Sequence, residues 1–476
     1  MMESIPDELA RILRETPALA QAYLVGGSVR DWLLGIPHKD YDLEVFGLAY
    51  EELVEILRCW GRIDLVGRSF GVVKLTTPGG VTFDFTVPRR DSKIAAGHKG
   101  FEIQFDREIT PQEAAARRDF TINSLMYDPR TEQVLDFFGG LADLKNRVLR
   151  HTSAAFVEDP LRVLRGMQLA SRFALAATPE TIELCRSIKA SYTELAVERV
   201  CEEWFKWAAK STTPSAGLRF LAATEWLEHF PELQALQGTP QEPEWHPEGD
   251  VFVHTCHCCD ALVKLPAWQR ADEESRIVFS LAILAHDFGK AQTTQRVLKD
   301  GELRLTSPGH EEVSGTLAET FLNRIRVPRA IIERVLPLVR NHMAHLQTVT
   351  DRAVRRLARR LEPENIEGLS IVMTADAMGR PPKPPEVPEV VTALLAKAAE
   401  LQVHASAAKP ILMGRHLLEL GMNPGPGVGA ILEEAYNAQL EGAFFDLSQA
   451  MRWLASHERL ALPDNVRAAL QRRMDG

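Results

Sequence analysis

The chain has 476 residues, of which 45% are hydrophobic and 25% charged, with a net charge of -10. This is ordinary globular material, long enough for about three domains and a large core. The acidic balance excludes a protein coated in nucleic-acid-binding surface and leaves room for a local basic groove. No apolar run reaches the roughly 18 residues of a membrane span. The opening MMESIPDELARIL lacks the basic and long apolar parts of a secretory signal. Six cysteines without a regular framework point to reduced thiols. A cytoplasmic protein with no membrane partner is expected.

Residues 1–20 read as a capping helix. In YLVGGSVRDWLLGIPHKDYDLEVFG an apolar run from Tyr23 to Val25 stops at Gly26 and Gly27, and a helical pattern from Ser28 to Leu34 ends at Gly35. The paired glycines permit a tight turn before a helix N-terminus, whose free N–H groups suit a phosphate. A second strand-like run carries Asp40 and Asp42. Residues i and i+2 of a strand face the same way, so both carboxylates can hold one cation cluster. Further on, Val81, Phe83, Phe85 and Val87 alternate with Thr82, Asp84 and Thr86, a half-buried strand with Asp84 on its polar face. With that strand beside the first, three carboxylates can bind two Mg²⁺ ions and support phosphoryl or nucleotidyl transfer. Taken alone, Asp84 is as well explained as a solvated acid.

Arg117 and Arg118 precede Asp119 where a strand-like run begins, placing planar donors near the phosphate site. On a helix starting near Pro160, Asp159 stands at the N-terminal edge, and Arg162 and Arg165 share a face. An acceptor beside a planar donor set can hydrogen-bond the edge of a base; an intrahelical ion pair explains the same spacing. From about residue 140 the pattern stays helical, interrupted by Pro-rich joints at 238–249 and 380–388.

Between those joints His254 is followed by His286 and Asp287 in an apolar run, then by His310, His342 and Asp376. Histidines and acids on several helices make a cage of nitrogen and oxygen ligands for one or two divalent ions. Cys256, Cys258 and Cys259, with His254 and His257, lack the second half of a zinc motif and read as buried helix cysteines. Arg352, Arg355, Arg356, Arg359 and Arg360 form a stripe that fits either an RNA phosphate track or a solvated helix face. The run Leu420 to Ala430, rich in Gly and Pro, fits a phosphate-binding helix start or a tight joint between helices equally.

GGSVRDWLLG with KDYDLEV resembles the head of the class II nucleotidyltransferases, the tRNA CCA-adding enzymes and bacterial poly(A) polymerases. RRDFTIN at 117–123, DFFGGLADL at 136–144, EDPLR at 158–162 and ERVCE at 198–202 are similar to that family's later motifs. HTCHCCDAL, LAILAHDFGKA, GHEEVSG, RNHM and TADAMGR resemble an HD-superfamily phosphohydrolase domain. The resemblance implies an α/β nucleotidyltransferase head, a small mixed sheet with helices, followed by an all-α neck, body and HD domain. The implied division is a head at 1–138, a neck and base-template region at 139–237, the HD domain at 250–380 and a helical tail at 381–476 with a role in tRNA binding. It further implies Asp40 and Asp42 as Mg²⁺ ligands with Asp84 assisting, Gly27, Ser28, Arg30 and Arg118 around the triphosphate, and Asp159, Arg162 and Arg165 at the base. The HD ligands by that match are His254, His286, Asp287 and Asp376, with His310 and His342 near a transition metal such as Ni²⁺ or Mn²⁺.

The implied activity is addition of CCA, or part of it, to tRNA from CTP and ATP. The competing readings are a poly(A) polymerase, and a phosphohydrolase or nucleotide sensor whose head only binds RNA. Against the polymerase, Val66 to Lys74 departs from the arginine-richer form of that family. A flexible loop that separates full from partial adders is expected within Arg89 to Ala116.

Overall fold

The computed structural model describes residues 5–475 apart from 38–40, 66–70, 94–100, 300, 347–348, 458–459 and 461, and only the backbone at 90–93, 101–105, 345–346 and 474–475. Asp40 and part of the Arg89 to Ala116 segment therefore lie outside the described residues. The chain forms two compact units, Met1–Gln234 and Ala235–Gly476.

The first unit is built on strands β1 (Ala22–Val25), β2 (Asp42–Val45), β3 (Arg62–Asp64), β4 (Val72–Thr76), β5 (Thr82–Thr86), β8 (Met126–Asp128) and β9 (Gln133–Leu135), with a separate pair β6 (Arg89–Lys93) and β7 (Phe101–Phe105). The seven-stranded sheet runs β3-β4-β5-β2-β1-β8-β9. Its one parallel pair is β2 with β5; the other neighbours are antiparallel. Alternation decides which face is buried: Leu43, Val45, Val73, Leu75, Phe83 and Phe85 point into one core with Leu9, Ile12 and Leu13 of the helix Asp7–Glu15. The polar positions between them, Asp42, Glu44 and Asp84, are thereby left on the opposite face.

One local expectation is corrected. The run after Asp119 is not a strand: Thr121–Asn123 is a 3₁₀ turn, because the Asp119 carboxylate captures the N–H of Phe120 at 2.8 Å and Asn123 Nδ2 at 2.9 Å. The Arg89 to Ala116 segment, within which the loop is expected, also carries regular structure. Its described residues form the β6–β7 ladder and the helix Pro111–Ala116, capped by Thr110 and Glu113.

Beyond the sheet, the helix Leu161–Phe173 packs between Val197–Lys210 and Pro214–Ala223. Glycine sets how close these helices come. A Cβ at Gly217 would lie 2.2 Å from Ser171 Oγ and 2.4 Å from the carbonyl oxygen of Met167.

The second unit is mainly helical. Val251–Leu262, Glu273–Ala285, Arg329–Asn341 and Ile366–Met378 enclose one core, and Gly414–Glu419, Pro426–Leu440, Leu447–Ser456 and Asp464–Asp475 enclose a smaller one. An antiparallel hairpin, Gln295–Lys299 with Glu302–Thr306, interrupts the helices and was not expected; Gly301, at φ 85°, makes its turn. The arginine stripe lies on the helix Asp351–Leu361, but Arg352 and Arg356 both pair with Glu441 and Arg359 stacks on Tyr436. These arginines hold the chain's own C-terminal helices. The Leu420 to Ala430 run is the joint between Gly414–Glu419 and Pro426–Leu440.

Gly217→Ala should destabilise the first unit by about 1–3 kcal/mol in urea unfolding, since the methyl must push two packed helices apart. Gly429→Ala, on an exposed helix position with nothing within 4 Å of the new Cβ, should be neutral or stabilising. Equal responses of the two variants would disprove the close-crossing account.

Candidate active sites

The head site begins where β1 ends. The chain turns through Gly26, at φ 73°, into the helix Gly27–Leu33. A Cβ at Gly26 would lie 2.8 Å from Arg118 Nη1, so glycine admits that guanidinium as well as the turn. Ser28 is buried and its hydroxyl donates to the Val25 carbonyl at 2.8 Å, leaving its backbone as the part able to meet a ligand. Next to this turn, the parallel pairing places Asp42 directly opposite Asp84. Opposed residues of paired strands share a face, with strands about 4.8 Å apart, so one cation can reach both carboxylates. Lys74, opposite Asp84 on β4, brings Nζ to 2.7 Å from Asp84 Oδ1. Glu44, two residues after Asp42, accepts from Arg118 at 2.9 Å. The sequence reading missed this contact, although the alternation of β2 contains it.

A 370 Å³ cavity adjoins the turn, lined by Gly26, Gly27, Arg30, Arg118, Arg162, Arg165 and Arg199 with Asp119 and Asp159. Asp119 is the hub. Besides its local bonds it accepts from Arg165 Nε at 2.7 Å, while Asn123, which it orients, accepts from Arg30 Nη1. Burial alone would raise the Asp119 carboxyl; Arg165, Asn123 and the Phe120 N–H overcome this and hold it at about 2. Arg30 is buried over the Phe173 ring at 4.5 Å and pairs with Asp31 at 2.7 Å. Asp159 and Arg162 both line the cavity, but they are not an intrahelical pair. Asp159 accepts from Arg199 at 2.9 Å, and Arg162 donates to the carbonyls of Ala155 (2.7 Å) and Arg117 (2.6 Å), which fixes the plane of its guanidinium. Arg199 stands in the ERVCE run of the sequence; its place in the cavity depends on its contact with Asp159, which local spacing does not encode.

In the second unit, helix ends and faces converge. His254 lies on Val251–Leu262, His286 and Asp287 follow Glu273–Ala285, His310 opens His310–Arg324, His342 follows Arg329–Asn341, and Asp376 lies on Ile366–Met378. All six are buried. His254 Nε2 is 3.1 Å from Asp376 Oδ1 and 3.6 Å from Asp287 Oδ2, and His286 Nε2 is 3.2 Å from Asp287 Oδ2. His310 Nε2 is 3.3 Å from Asp287 Oδ1, with His342 Nε2 3.8 Å from the same oxygen. The other ring nitrogens of His286, His310 and His342 are oriented by the carbonyls of Ile283, Ser307 and Val339. Despite these short approaches, His286 Nε2 and both oxygens of Asp287 have no well-formed hydrogen bond among the described residues. Buried, convergent donors left in that state fit a divalent cation.

The charges around the donors act on them in both directions: burial opposes charge on His254 and His286, yet Cys258 and Asp376 raise the first well above its ordinary value and Asp287 raises the second to about 10. Burial opposes charge on both acids, yet His286 and Lys290 hold Asp287, and Arg380 and His254 hold Asp376, well below the usual carboxylate range. Burial, helped by His286, pushes His342 down to about 3, which keeps its imidazole neutral as a metal ligand must be. Lys290 Nζ lies 2.7 Å from Asp287 and Arg380 Nη2 lies 2.7 Å from Asp376. Both cations face a 490 Å³ cavity that reaches Asp287, His310, His342 and Asp376. The sequence reading named neither Lys290 nor Arg380, although each stands one helical turn after an acid it did name. Cys256 and Cys259 are buried outside the donor cluster, but Cys258 Sγ lies 3.3 Å from His254 Nε2.

The family model described as the poly A polymerase head domain matches residues 22–150, and the HD domain model matches 256–380. Fold and site together define a nucleotidyltransferase head joined to an HD domain. The multifunctional CCA protein of Xanthomonas campestris pv. campestris (strain B100) is 35% identical over 434 residues, covering 88% of this chain and 98% of that protein. That of Xylella fastidiosa (strain 9a5c) is 34% identical over 372 residues, covering 76% and 84%. The chain belongs to the family of multifunctional CCA proteins. The Thermotoga maritima CCA-adding enzyme complexed with tRNA shares the fold at a TM-score of 0.58 and 19% identity, over 96% of this chain and 97% of that one. The Bacillus stearothermophilus CCA-adding enzyme in complex with CTP does so at 0.59 and 19%, over 92% and 94%.

The Asp119 carboxyl is held at about 2 in the folded chain against an ordinary value of 3.8. Its charge therefore contributes stability that is complete above the unfolded value and is lost as pH falls from there towards 2, roughly 2 kcal/mol in all. Asp119→Asn should flatten this part of the acid limb in urea unfolding followed between about pH 5 and 2. Parallel profiles for the variant and the parent would show that Arg165 does not hold the charge.

Proposed function

We propose that this chain is a tRNA nucleotidyltransferase that adds CCA, or part of it, to tRNA 3′ ends from CTP and ATP, with a metal-dependent phosphohydrolase in its HD domain. The observation that carries the first activity is the register of Asp42 with Asp84 beside an arginine-lined cavity, in a chain that matches 98% of a relative named for CCA. Asp42 and Asp84, with Asp40, are the residues to hold Mg²⁺. Bound there, it supplies Lewis-acid activation of the 3′-hydroxyl and neutralises charge on the leaving pyrophosphate. The tRNA hydroxyl attacks the α-phosphate while the backbone at Gly27 and Ser28, with Arg118, orients the triphosphate. Arg30 holds the floor of that pocket. Asp159, Arg162 and Arg165 present acceptor and donor edges to the base, with Arg199 positioning Asp159.

Four segments divide the work: 1–138 for chemistry, 139–237 for nucleotide choice, 250–380 for hydrolysis and 381–476 for tRNA contact. Free thiols at Cys59, Cys185, Cys201, Cys256, Cys258 and Cys259 support a reducing, cytoplasmic setting. No described helix is long and apolar enough to cross a membrane. A poly(A) polymerase is disfavoured by the near full-length match to CCA proteins. Incubation with tRNA ending before CCA or after CC, with CTP, ATP or both, decides between full and partial addition by product length.

Arg162→Ala should damage discrimination between CTP, ATP and other nucleotides more than triphosphate affinity, each lost base contact being worth about 1–3 kcal/mol by analogy with direct base readout. Unchanged nucleotide choice in competition assays removes Arg162 from the template.

The second activity rests on the buried His and Asp donors, which suit a transition metal such as Ni²⁺ or Mn²⁺. Lys290 and Arg380 at its cavity suit an anionic phosphate ester. Terminal or cyclic phosphates on tRNA block an attack that needs a free 3′-hydroxyl, so hydrolysis prepares the substrate for addition. His286→Ala or Asp287→Ala should lose hydrolysis of 2′,3′-cyclic or terminal phosphates and keep CCA addition, whereas Asp42→Ala should do the reverse. Joint loss in any of the three would refute two independent sites.

A further inference from the structure

One feature of the second unit has no part in the proposed hydrolysis. The helix Val251–Leu262 carries Cys258 one turn after His254, on the same face. The thiol is fully buried and lies 3.3 Å from His254 Nε2. One ligand atom from each of His254, Cys258, His286 and Asp376 can be chosen so that all lie within 4.8 Å of one another. Among these, His286 Nε2 is buried with no well-formed hydrogen bond among the described residues. The opposite wall is cut to fit the sulfur. The helix Ile366–Met378 ends at Gly379, where a Cβ would lie 2.3 Å from Cys258 Sγ. Neighbouring Cys256 and Cys259 are equally buried but join no such group among the described residues. Helix rotation thus selects one cysteine of the three.

We propose that Cys258 is a thiolate ligand of the HD metal centre, adding sulfur to its imidazole and carboxylate donors beside His254, His286 and Asp376. The proposal rests on the metal-centre reading given above. When the ion binds, the sulfur–hydrogen bond is replaced by a sulfur–metal bond and the proton leaves to solvent. A thiolate among nitrogen and oxygen donors moves preference along the series towards borderline ions, Zn²⁺, Co²⁺ and Ni²⁺, and away from Mn²⁺ and Mg²⁺. This centre is therefore softer than an all-nitrogen-and-oxygen cage.

The test uses the full chain, stripped with a chelator and reloaded with Co²⁺. The expected result is a near-ultraviolet sulfur-to-cobalt charge-transfer band alongside the visible ligand-field bands. Cys258→Ser should lose the first and keep the second, and Cys256→Ser should keep both. In competition, Cys258→Ser should lower the preference for Zn²⁺ over Mn²⁺ at least tenfold. X-ray absorption of the Zn²⁺-loaded parent chain needs no variant and should find one sulfur at about 2.3 Å. Bound Co²⁺ without the charge-transfer band, or a zinc shell without sulfur, overturns the Cys258 assignment and leaves the metal centre standing. A chain that binds neither ion overturns both.

Discussion

The buried carboxylate of Asp119 is the constraint on which the head depends. A charge removed from water must be met on every side, and the partners it recruits come from three parts of the chain. The Phe120 N–H and Asn123 bend the backbone after it, Asn123 passes the constraint to Arg30 on the helix Gly27–Leu33, and Arg165 brings in the helix Leu161–Phe173. The turn through Gly26 and the helix Leu161–Phe173 are thus set against one another through a single anion. Asp31 repeats the arrangement at lower stakes, bridging Arg30 to Arg172.

The two sites use different devices to bring like charges together. In the head the backbone ladder of a parallel strand pair fixes Asp42 against Asp84, so the spacing of the acids is a property of main-chain hydrogen bonds. In the second unit the donors stand at helix ends and on helix faces, and burial at the centre of a helical core sets their spacing. A strand register permits one spacing only, whereas packed helices shift by fractions of an ångström. The first arrangement suits a hard ion with strict geometry, the second a softer ion and a range of phosphate esters.

Much of this was legible because it is local. Alternation from Val81 to Val87 placed Asp84 on the polar face of a strand, and the glycine pair after Val25 marked the turn into the helix Gly27–Leu33. The ordered histidines and acids from His254 to Asp376 converge in one core. What escaped depends on contacts between distant segments. The strand tendency of Phe120 to Asn123 yields to a side chain that captures its N–H groups. The pairing of Asp159, which stands just before the helix Leu161–Phe173, with Arg199 joins segments 40 residues apart. The place of Cys258 follows from helix rotation against Gly379, which spacing alone does not report. The arginine stripe was visible, but not that Glu441 and Tyr436 occupy it.

Lys74 gives the head one more property. Its ammonium lies 2.7 Å from Asp84, on the strand next to the carboxylate pair, and is half exposed. It acts as a built-in counter-ion, so two facing acids need no cation from solution in order to fold. Assembly of the sheet and loading of the catalytic ion are thereby separate events, unlike in small zinc modules, where the metal is the folding energy. A cell short of the ion would keep an intact, idle nucleotidyltransferase head that resumes work on resupply, with no need to synthesise or refold the chain.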